Sequence, residues 1–185
     1  MKVAILCGGL GTRLREETEF RPKPMVPIGT KPILWHIMKI YAAFGHRDFA
    51  LALGYKGEAI KDYFLNYDLR NSDFTLDLKT KGITRMATAH DEHDWRVTFV
   101  ETGEATMTGG RVKRLAPYLG QEEQFMLTYG DGVTDLDITS LVQFHQRSGC
   151  VATVTGVRPL ARFGELIVKG DKVVRFAEKP NQGEA

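Results

Sequence analysis

A glycine loop followed by two basic residues is the part of the sequence best suited to chemistry. Residues 6–14 read LCGGLGTRL, and residues 21–25 read RPKPM. Glycines lack a Cβ atom, so the backbone N–H groups of such a loop can approach an anion closely. Arg13 adds a planar fork of donors and Lys23 adds a mobile point charge, which together can hold phosphates and stabilise charge on one under attack. The pattern predicts a triphosphate site.

Two familiar phosphate-binding loops do not fit these residues. A P-loop needs Gly-Lys-Ser or Gly-Lys-Thr at the start of a helix, which the glycine loop does not provide. A dinucleotide fingerprint beginning at Gly9 needs Gly or Ala where Leu14 stands. The sequence therefore disfavours an NAD-binding oxidoreductase, and a tight turn with incidental charges is the structural alternative to a triphosphate site.

An aspartate between two glycines is the second candidate for chemistry. Residues 124–129 are typical of a strand, which would deliver Gly130, Asp131 and Gly132 at its carboxyl end. Magnesium usually binds one or two protein carboxylates together with phosphate oxygens and water. Asp131 is therefore the candidate Mg²⁺ ligand, and a plain Asp-Gly turn is the alternative.

Arg111 is a third candidate, because it lies near the start of a helix predicted over residues 109–119. The positive end of a helix dipole favours anions, and an arginine there offers further donors. A solvated charge on the helix surface is the alternative explanation.

The elements that must position these residues alternate between strand and helix patterns. Such alternation predicts an α/β fold with a mostly parallel, Rossmann-like mixed sheet and helices on both faces. We predict a central strand over residues 124–129, with further strands over 1–6, 49–53, 74–78, 95–100 and 150–157, helices over 32–45, 57–67, 109–119 and 136–147, and a hairpin over 165–177.

Composition bounds the class of protein. The 185 residues are 43% hydrophobic and 26% charged, which predicts one globular domain over residues 1–185. The net charge of +2, without basic runs, argues against a nucleic-acid partner and favours a small anionic ligand. The sequence shows neither a signal peptide nor an 18-residue apolar stretch, so we expect a cytoplasmic protein without a membrane partner. Cys7 and Cys150 are expected to be buried thiols.

Several motifs together resemble a known family. Residues 8–14 with residues 22–24 resemble the signature of the sugar-1-phosphate nucleotidyltransferases. The segments 106–111, 129–132, 162–164 and 178–180 are similar in order and spacing to the glucose-1-phosphate cytidylyltransferase branch of that family. The resemblance implies the nucleotidyltransferase fold, CTP and glucose-1-phosphate as substrates, Mg²⁺ as cofactor and a homo-oligomer.

The choice of base follows from the resemblance alone. Residues 107–114, MTGGRVKR, differ from the segment of many thymidylyl- and uridylyltransferases, where Gly-Leu-Ala follows a base-reading glutamine. This difference favours cytosine. A related transferase that uses UTP, dTTP or GTP stays an alternative, as does a catalytically silent CTP-binding regulatory subunit.

The resemblance also implies roles for individual residues. It makes Arg13, Lys23 and Asp131 catalytic, with Asp131 on the metal, and gives Lys179 to the sugar phosphate. The residues that it assigns to the nucleotide are Leu6, Cys7, Gly8, Gly9, Leu10, Gly11, Thr12, Arg13, Lys23, Thr106, Arg111 and Gly130. Family enzymes carry a second metal-binding aspartate, and much of the sugar pocket, well beyond the position of residue 180. We therefore expect this chain to be the nucleotide-binding part of a longer enzyme.

Overall fold

The computed structural model describes most of the chain. The described residues are 1–9, 20–85, 91–120, 123–157 and 165–177. Their packing divides the chain into two units, Met1–Leu141 and Val142–Ala185. The prediction of a single domain over residues 1–185 stays a prediction.

The described strands and helices are distributed over both units. The strands are β1 (Val3–Leu6), β2 (Pro27–Ile28), β3 (Lys31–Pro32), β4 (Asp48–Leu53), β5 (Phe74–Leu76), β6 (Ile83–Arg85), β7 (Arg96–Glu101), β8 (Met126–Tyr129), β9 (Glu165–Lys169) and β10 (Lys172–Ala177). The α-helices are α1 (Ile33–Ala43), α2 (Gly57–Leu65), α3 (Tyr67–Asn71), α4 (Thr108–Leu115) and α5 (Ile138–Ser148). Short 3₁₀ helices cover Lys23–Met25, Glu92–Asp94 and Ala116–Tyr118.

The main sheet has four parallel strands in the order β7-β4-β1-β8. Val3 aligns with Phe49 on one side and with Met126 on the other. All of β1 is buried, as expected for a parallel strand covered on both faces. Numbered along the chain, the four strands lie in the order 3-2-1-4, so the direction of winding reverses between β1 and β8. Ligands of such sheets bind at the carboxyl ends of the strands beside this reversal.

Helices cover both faces of this sheet, as predicted. On one face, small and aliphatic side chains pack against the region of α4; this cluster comprises Ala4, Leu6, Ala50, Ala52, Val100, Leu115 and Leu119. Residues that alternate with these point to the other face. There, Tyr41 of α1 hydrogen-bonds to Thr128, and Phe64 of α2 lies 5.9 Å from Phe99 between ring centroids.

The ends of the helices follow local sequence signals. Pro32 precedes α1, and Gly45 after it has a φ of 85°, a left-handed conformation that favours glycine. Asp137 caps α5 by accepting a hydrogen bond of 3.0 Å from the backbone N–H of Ser140. That bond and one from the Ser140 hydroxyl hold the pKa of Asp137 below its usual value.

Three sequence predictions differ from the structure. No strand forms over residues 150–157, although this stretch lies wholly within the described chain. Cys150 is exposed rather than buried, and Val151 and Val154 beside it are also exposed. The strand at 124–129, predicted to be central, shortens to β8 and lies at the edge of the described sheet. An apolar run becomes a strand only when its backbone finds a partner, which composition cannot show.

The hairpin predicted over residues 165–177 is present in the structure. β9 and β10 pair antiparallel around Gly170, which has a φ of 59°, so the predicted hairpin is confirmed. Searched over the described residues, the chain contains no helix with both the length and the apolar character needed to cross a bilayer.

Candidate active site

A cavity of about 700 Å³ lies where the winding of the sheet reverses. Its walls come from the segments that follow β1 and β8, from the turn that carries Lys23, and from the approach to α4. The lining residues are Leu6, Cys7, Gly8, Gly9, Lys23, Pro24, Glu104, Ala105, Thr106, Met107, Thr108, Arg111, Tyr129 and Asp131. Small-molecule sites of folded proteins commonly measure roughly 300–1,000 Å³, so the space suits a nucleotide-sized ligand.

The segments that follow β1 and β8 are held together by backbone contacts. The N–H of Gly130 donates to the carbonyl of Leu6 at 2.9 Å, which extends the pairing beyond the end of the strands. A Cβ atom at Gly130 would lie only 3.0 Å from that carbonyl oxygen and 3.0 Å from Cγ of Pro24. A side chain at position 130 would therefore have to push these neighbours aside by a few tenths of an ångström, whereas glycine fits the close approach that brings Asp131 to the cavity.

Cys7 is a buried part of the loop rather than a reactive group. Burial raises the pKa of the Cys7 thiol well above its usual value, the charge of Asp131 raises it further, and the charge of Arg111 opposes the change. The nucleophilic form of cysteine is the thiolate. Cys7 therefore packs as a neutral thiol, which confirms the prediction that it is buried.

Lys23 and Asp131 face each other across the cavity wall. Nζ of Lys23 lies 2.5 Å from Oδ2 of Asp131, and the two side chains are 28% and 33% exposed. An ion pair that solvent can reach adds little net stability and can open at small cost. Lys23 is thus able to turn to a phosphate, and Asp131 to a cation, within the same cavity.

The carboxylate of Asp131 could supply Mg²⁺ with one protein ligand but not with a complete shell. Over the described part of the chain, no three His, Cys, Asp or Glu side chains come together as a metal cluster. A hard cation at Asp131 would therefore need phosphate oxygens and water to complete its shell, which is the usual arrangement for Mg²⁺ in nucleotide sites. The accessible carboxylate at the cavity fits that role.

The guanidinium of Arg111 is buried, with the residue only 5% exposed, so it is not a solvated helix charge. Nη1 donates to the carbonyl of Leu53 at 3.0 Å and to the hydroxyl of Thr102 at 2.6 Å. Nη2 donates to the carbonyls of Gly8 at 2.7 Å and Glu104 at 3.0 Å. Burial lowers the pKa of Arg111, and the charge of Arg114 lowers it further.

Thr106 and the start of α4 form another part of the cavity wall. The Thr106 hydroxyl accepts a hydrogen bond of 2.6 Å from Nη1 of Arg114. Met107 and Thr108 then open the helix, and the first N–H groups of a helix lack partners within it. This end of α4 favours an anion in the cavity.

Most of the residues predicted for the site meet at this cavity. Those that line it are Leu6, Cys7, Gly8, Gly9, Lys23, Thr106, Arg111 and Asp131, and Gly130 packs directly against Leu6. The predicted residues Leu10, Gly11, Thr12, Arg13 and Lys179 lie outside the described residues.

The cavity also contains residues that sequence reasoning did not assign to the site. These are Pro24, Glu104, Ala105, Met107, Thr108 and Tyr129. Tyr129 ends β8 directly before Gly130, and residues 104–108 lead into the predicted helix. The expected binding edge of a parallel sheet could have indicated both segments.

Comparison with known proteins agrees with this geometry. The Nucleotidyl transferase family matches residues 2–185 of the chain. The chain belongs to this family. A glucose-1-phosphate cytidylyltransferase of Salmonella typhimurium is 52% identical over 181 residues, which cover 97% of the chain and 69% of that enzyme. A probable glucose-1-phosphate cytidylyltransferase of Bacillus subtilis is 46% identical over 179 residues, with the same coverage.

Solved structures share the fold of this nucleotidyl transferase. HddC from Yersinia pseudotuberculosis, complexed with GMP-PN, matches with a TM-score of 0.59 at 26% identity, and the match covers 98% of the chain and 70% of HddC. The α/β nucleotidyltransferase fold predicted from the sequence is therefore confirmed.

Proposed function

We propose that this nucleotidyl transferase moves CMP from CTP to glucose-1-phosphate, giving CDP-glucose and pyrophosphate. The observation that carries the proposal is the cavity at the reversal of the sheet, where the glycine loop, Lys23 and Asp131 meet. The names of the relatives in Salmonella typhimurium and Bacillus subtilis support cytidine as the nucleoside and glucose-1-phosphate as the acceptor.

The reaction needs positioning and charge stabilisation rather than a covalent enzyme intermediate. A phosphate oxygen of glucose-1-phosphate bonds to the α-phosphorus of CTP, the bond from that phosphorus to the bridging oxygen breaks, and pyrophosphate leaves with the electron pair. An in-line approach aligns the attacking and leaving oxygens. Groups that neutralise the charge developing on the phosphates then lower the barrier.

In the proposal, different residues bind the phosphates, the metal and the sugar phosphate. The N–H groups of Gly8 and Gly9 bind phosphate oxygens, and Lys23 leaves Asp131 to meet the same phosphates. Asp131, released from Lys23, would hold Mg²⁺. Bound there, Mg²⁺ would polarise the phosphate oxygens and offset their charge. Arg13 adds a further donor to the triphosphate, Thr106 and Arg111 lie by the nucleotide, and Lys179 contacts the sugar phosphate.

Pyrophosphate release tests the proposal. We expect release with CTP, glucose-1-phosphate and Mg²⁺ by the longest natural form of the protein, and little with UTP, dTTP, ATP or GTP. A preference for UTP, dTTP or GTP would instead support another sugar-1-phosphate nucleotidyltransferase. Bound CTP without any release would favour the catalytically silent regulatory subunit.

Substitutions test the two charged residues directly. Lys23→Ala and Asp131→Asn should each lower turnover at least about a hundredfold, because each removes charge stabilisation at the reacting phosphates. Lys113→Ala is the matched control, since Lys113 is an exposed lysine of α4 that does not line the cavity. Near-normal rates in both Lys23→Ala and Asp131→Asn would overturn the assignment of these residues.

The cytoplasmic location and the homo-oligomer remain predictions from the sequence and the resemblance. A sedimentation measurement of the longest natural form would determine the oligomeric state.

A further inference from the structure

The Arg111 guanidinium connects the carboxyl ends of three neighbouring strands. Its acceptors come from Gly8 after β1, from Leu53 at the end of β4 and from Thr102 after β7, with Glu104 as the fourth. These bonds use four of the five N–H donors that a guanidinium carries. All four acceptors are uncharged, so the side chain acts as a bridge between backbone segments as well as a charge at the cavity.

The bond to Gly8 has a direct consequence for the phosphate-binding loop. In a planar trans peptide, the carbonyl and the N–H point in opposite directions, and the described chain has no cis peptide bonds. Nη2 of Arg111 holds the Gly8 carbonyl at 2.7 Å. The N–H of Gly9, which belongs to the same peptide unit, must therefore point away from Arg111. Arg111 thus fixes the orientation of the N–H group of Gly9, a residue that lines the cavity.

Gly54 makes room for this bridge without touching the cavity. A Cβ atom at position 54 would lie 2.6 Å from Nη1 of Arg111, 2.9 Å from Nη2 and 2.9 Å from the carbonyl oxygen of Gly8. Such distances are too short for real contacts, so any side chain at position 54 must displace the guanidinium or the loop. Gly54 is not among the residues that line the cavity.

We propose that Arg111 is a positioning residue for the phosphate-binding loop and that Gly54, from outside the cavity, determines phosphate affinity through Arg111. The inference rests on the proposed function, because it assumes that the Gly8–Gly9 segment binds the phosphates. It differs from a role of Arg111 in reading the base, since a loop-positioning role affects every triphosphate equally.

Calorimetry of the binding of two ligands separates loop positioning by Arg111 from base reading by Arg111. Inorganic triphosphate has no base, whereas CTP has one. We expect Gly54→Ala and Arg111→Lys to weaken the binding of both ligands by a similar factor, about tenfold or more. Lysine lacks the planar guanidinium that makes the four bonds, and an alanine at position 54 displaces that guanidinium, so in neither variant is the Gly8–Gly9 peptide held in its orientation. Gly156→Ala is the matched control, because a Cβ atom there meets open space and Gly156 does not line the cavity. This control should bind both ligands as the parent does.

A double-mutant cycle tests whether Gly54 acts through Arg111. Without the guanidinium, an alanine at position 54 no longer displaces it. The contact of that Cβ atom with the Gly8 carbonyl oxygen, at 2.9 Å, remains. The double variant Gly54→Ala with Arg111→Ala should therefore lose clearly less affinity for inorganic triphosphate than the sum of the two single losses. Circular dichroism of each variant verifies that the comparison is made on folded protein, and Arg111→Lys provides a second measurement if Gly54→Ala does not fold.

Three results would overturn the inference. One is parent-like triphosphate binding by folded Gly54→Ala, and another is additive losses in the double variant. The third is a loss confined to CTP in Arg111→Lys, which would assign Arg111 to the base instead. Failure of the proposed function is distinguishable, because it would show as absent pyrophosphate release by the unsubstituted protein.

Discussion

At the scale of single residues, charged side chains in this protein act through their specific partners. Glu92 illustrates this outside the candidate site, because its side chain is only 6% exposed. It accepts hydrogen bonds from Nζ of Lys39 at 2.7 Å and from the Tyr67 hydroxyl at 3.1 Å, and Tyr67 in turn accepts one from Trp35 at 2.7 Å. Burial opposes the charge of Glu92, but the bonds and charge of Lys39, with the bond from Tyr67, hold its pKa below the usual value.

Glu92→Gln should therefore destabilise the protein in a pH-dependent way. A group with a lowered pKa stabilises the fold above its unfolded pKa, about 4.3 for glutamate, and this contribution is lost as the pH falls through the folded pKa. We expect the free energy of unfolding to fall by about 1–2 kcal/mol at neutral pH and by less below about pH 4. The loss stays this small because solvent reaches Lys39 and screens its charge. Urea unfolding across pH measures it, with the exposed Glu123→Gln as control. A loss independent of pH would contradict this account.

At the scale of elements, the position of Arg111 depends on how α4 packs on the sheet. Leu115 at the end of α4 is fully buried in the cluster with Ala4, Leu6, Ala50 and Ala52. The alanines of the strands leave space that Leu115 fills, so the helix lies close to the strand ends. Arg111 stands one turn before Leu115, which places its guanidinium among the carbonyls at those ends.

Leu115→Ala should lower the free energy of unfolding by about 2–5 kcal/mol, because it removes a buried side chain and leaves a cavity. The matched control is Leu65→Ala at the end of α2, since Leu65 is 77% exposed. That substitution should cost within about 0.5 kcal/mol. Denaturant unfolding compares the two variants, and equal losses would show that α4 does not pack on the sheet as described.

At the scale of the whole molecule, the cavity joins segments that are distant in the sequence. It brings together the ends of β1 and β8, the turn at Lys23 and the start of α4, all within Met1–Leu141. A ligand that contacts all of them binds only the folded state. Ligand binding is therefore expected to stabilise this unit against unfolding by mass action.

We expect CTP with Mg²⁺ to raise the melting temperature. At a hundred times its dissociation constant, a ligand adds about 2.7 kcal/mol, which corresponds to roughly 5–10 °C for a chain of this size. Thermal unfolding followed by fluorescence measures the shift. Asp131→Asn should reduce it, whereas Lys113→Ala should preserve it. An unchanged melting temperature with saturating CTP would contradict nucleotide binding in this cavity.

Local signals were sufficient for the fold class and for much of the candidate site. Buried apolar runs predicted β1 and β4, a proline and a left-handed glycine marked the ends of α1, and glycines beside Lys23 and Asp131 indicated a phosphate site. Each of these signals depends on residues that are neighbours along the chain. Short-range sterics and backbone conformation therefore made them readable without a structure.

Long-range contacts decided the rest. The exposed stretch at residues 150–157 has the apolar character of a strand but forms none, because a strand also needs a partner that its own composition does not specify. The ion pair between Lys23 and Asp131 spans 108 positions of the sequence, and the bond from Arg111 to Gly8 spans 103. The sequence by itself determined which residues could bind a nucleotide, whereas only the tertiary structure decided which of them meet, since such contacts depend on the packing of the sheet and α4.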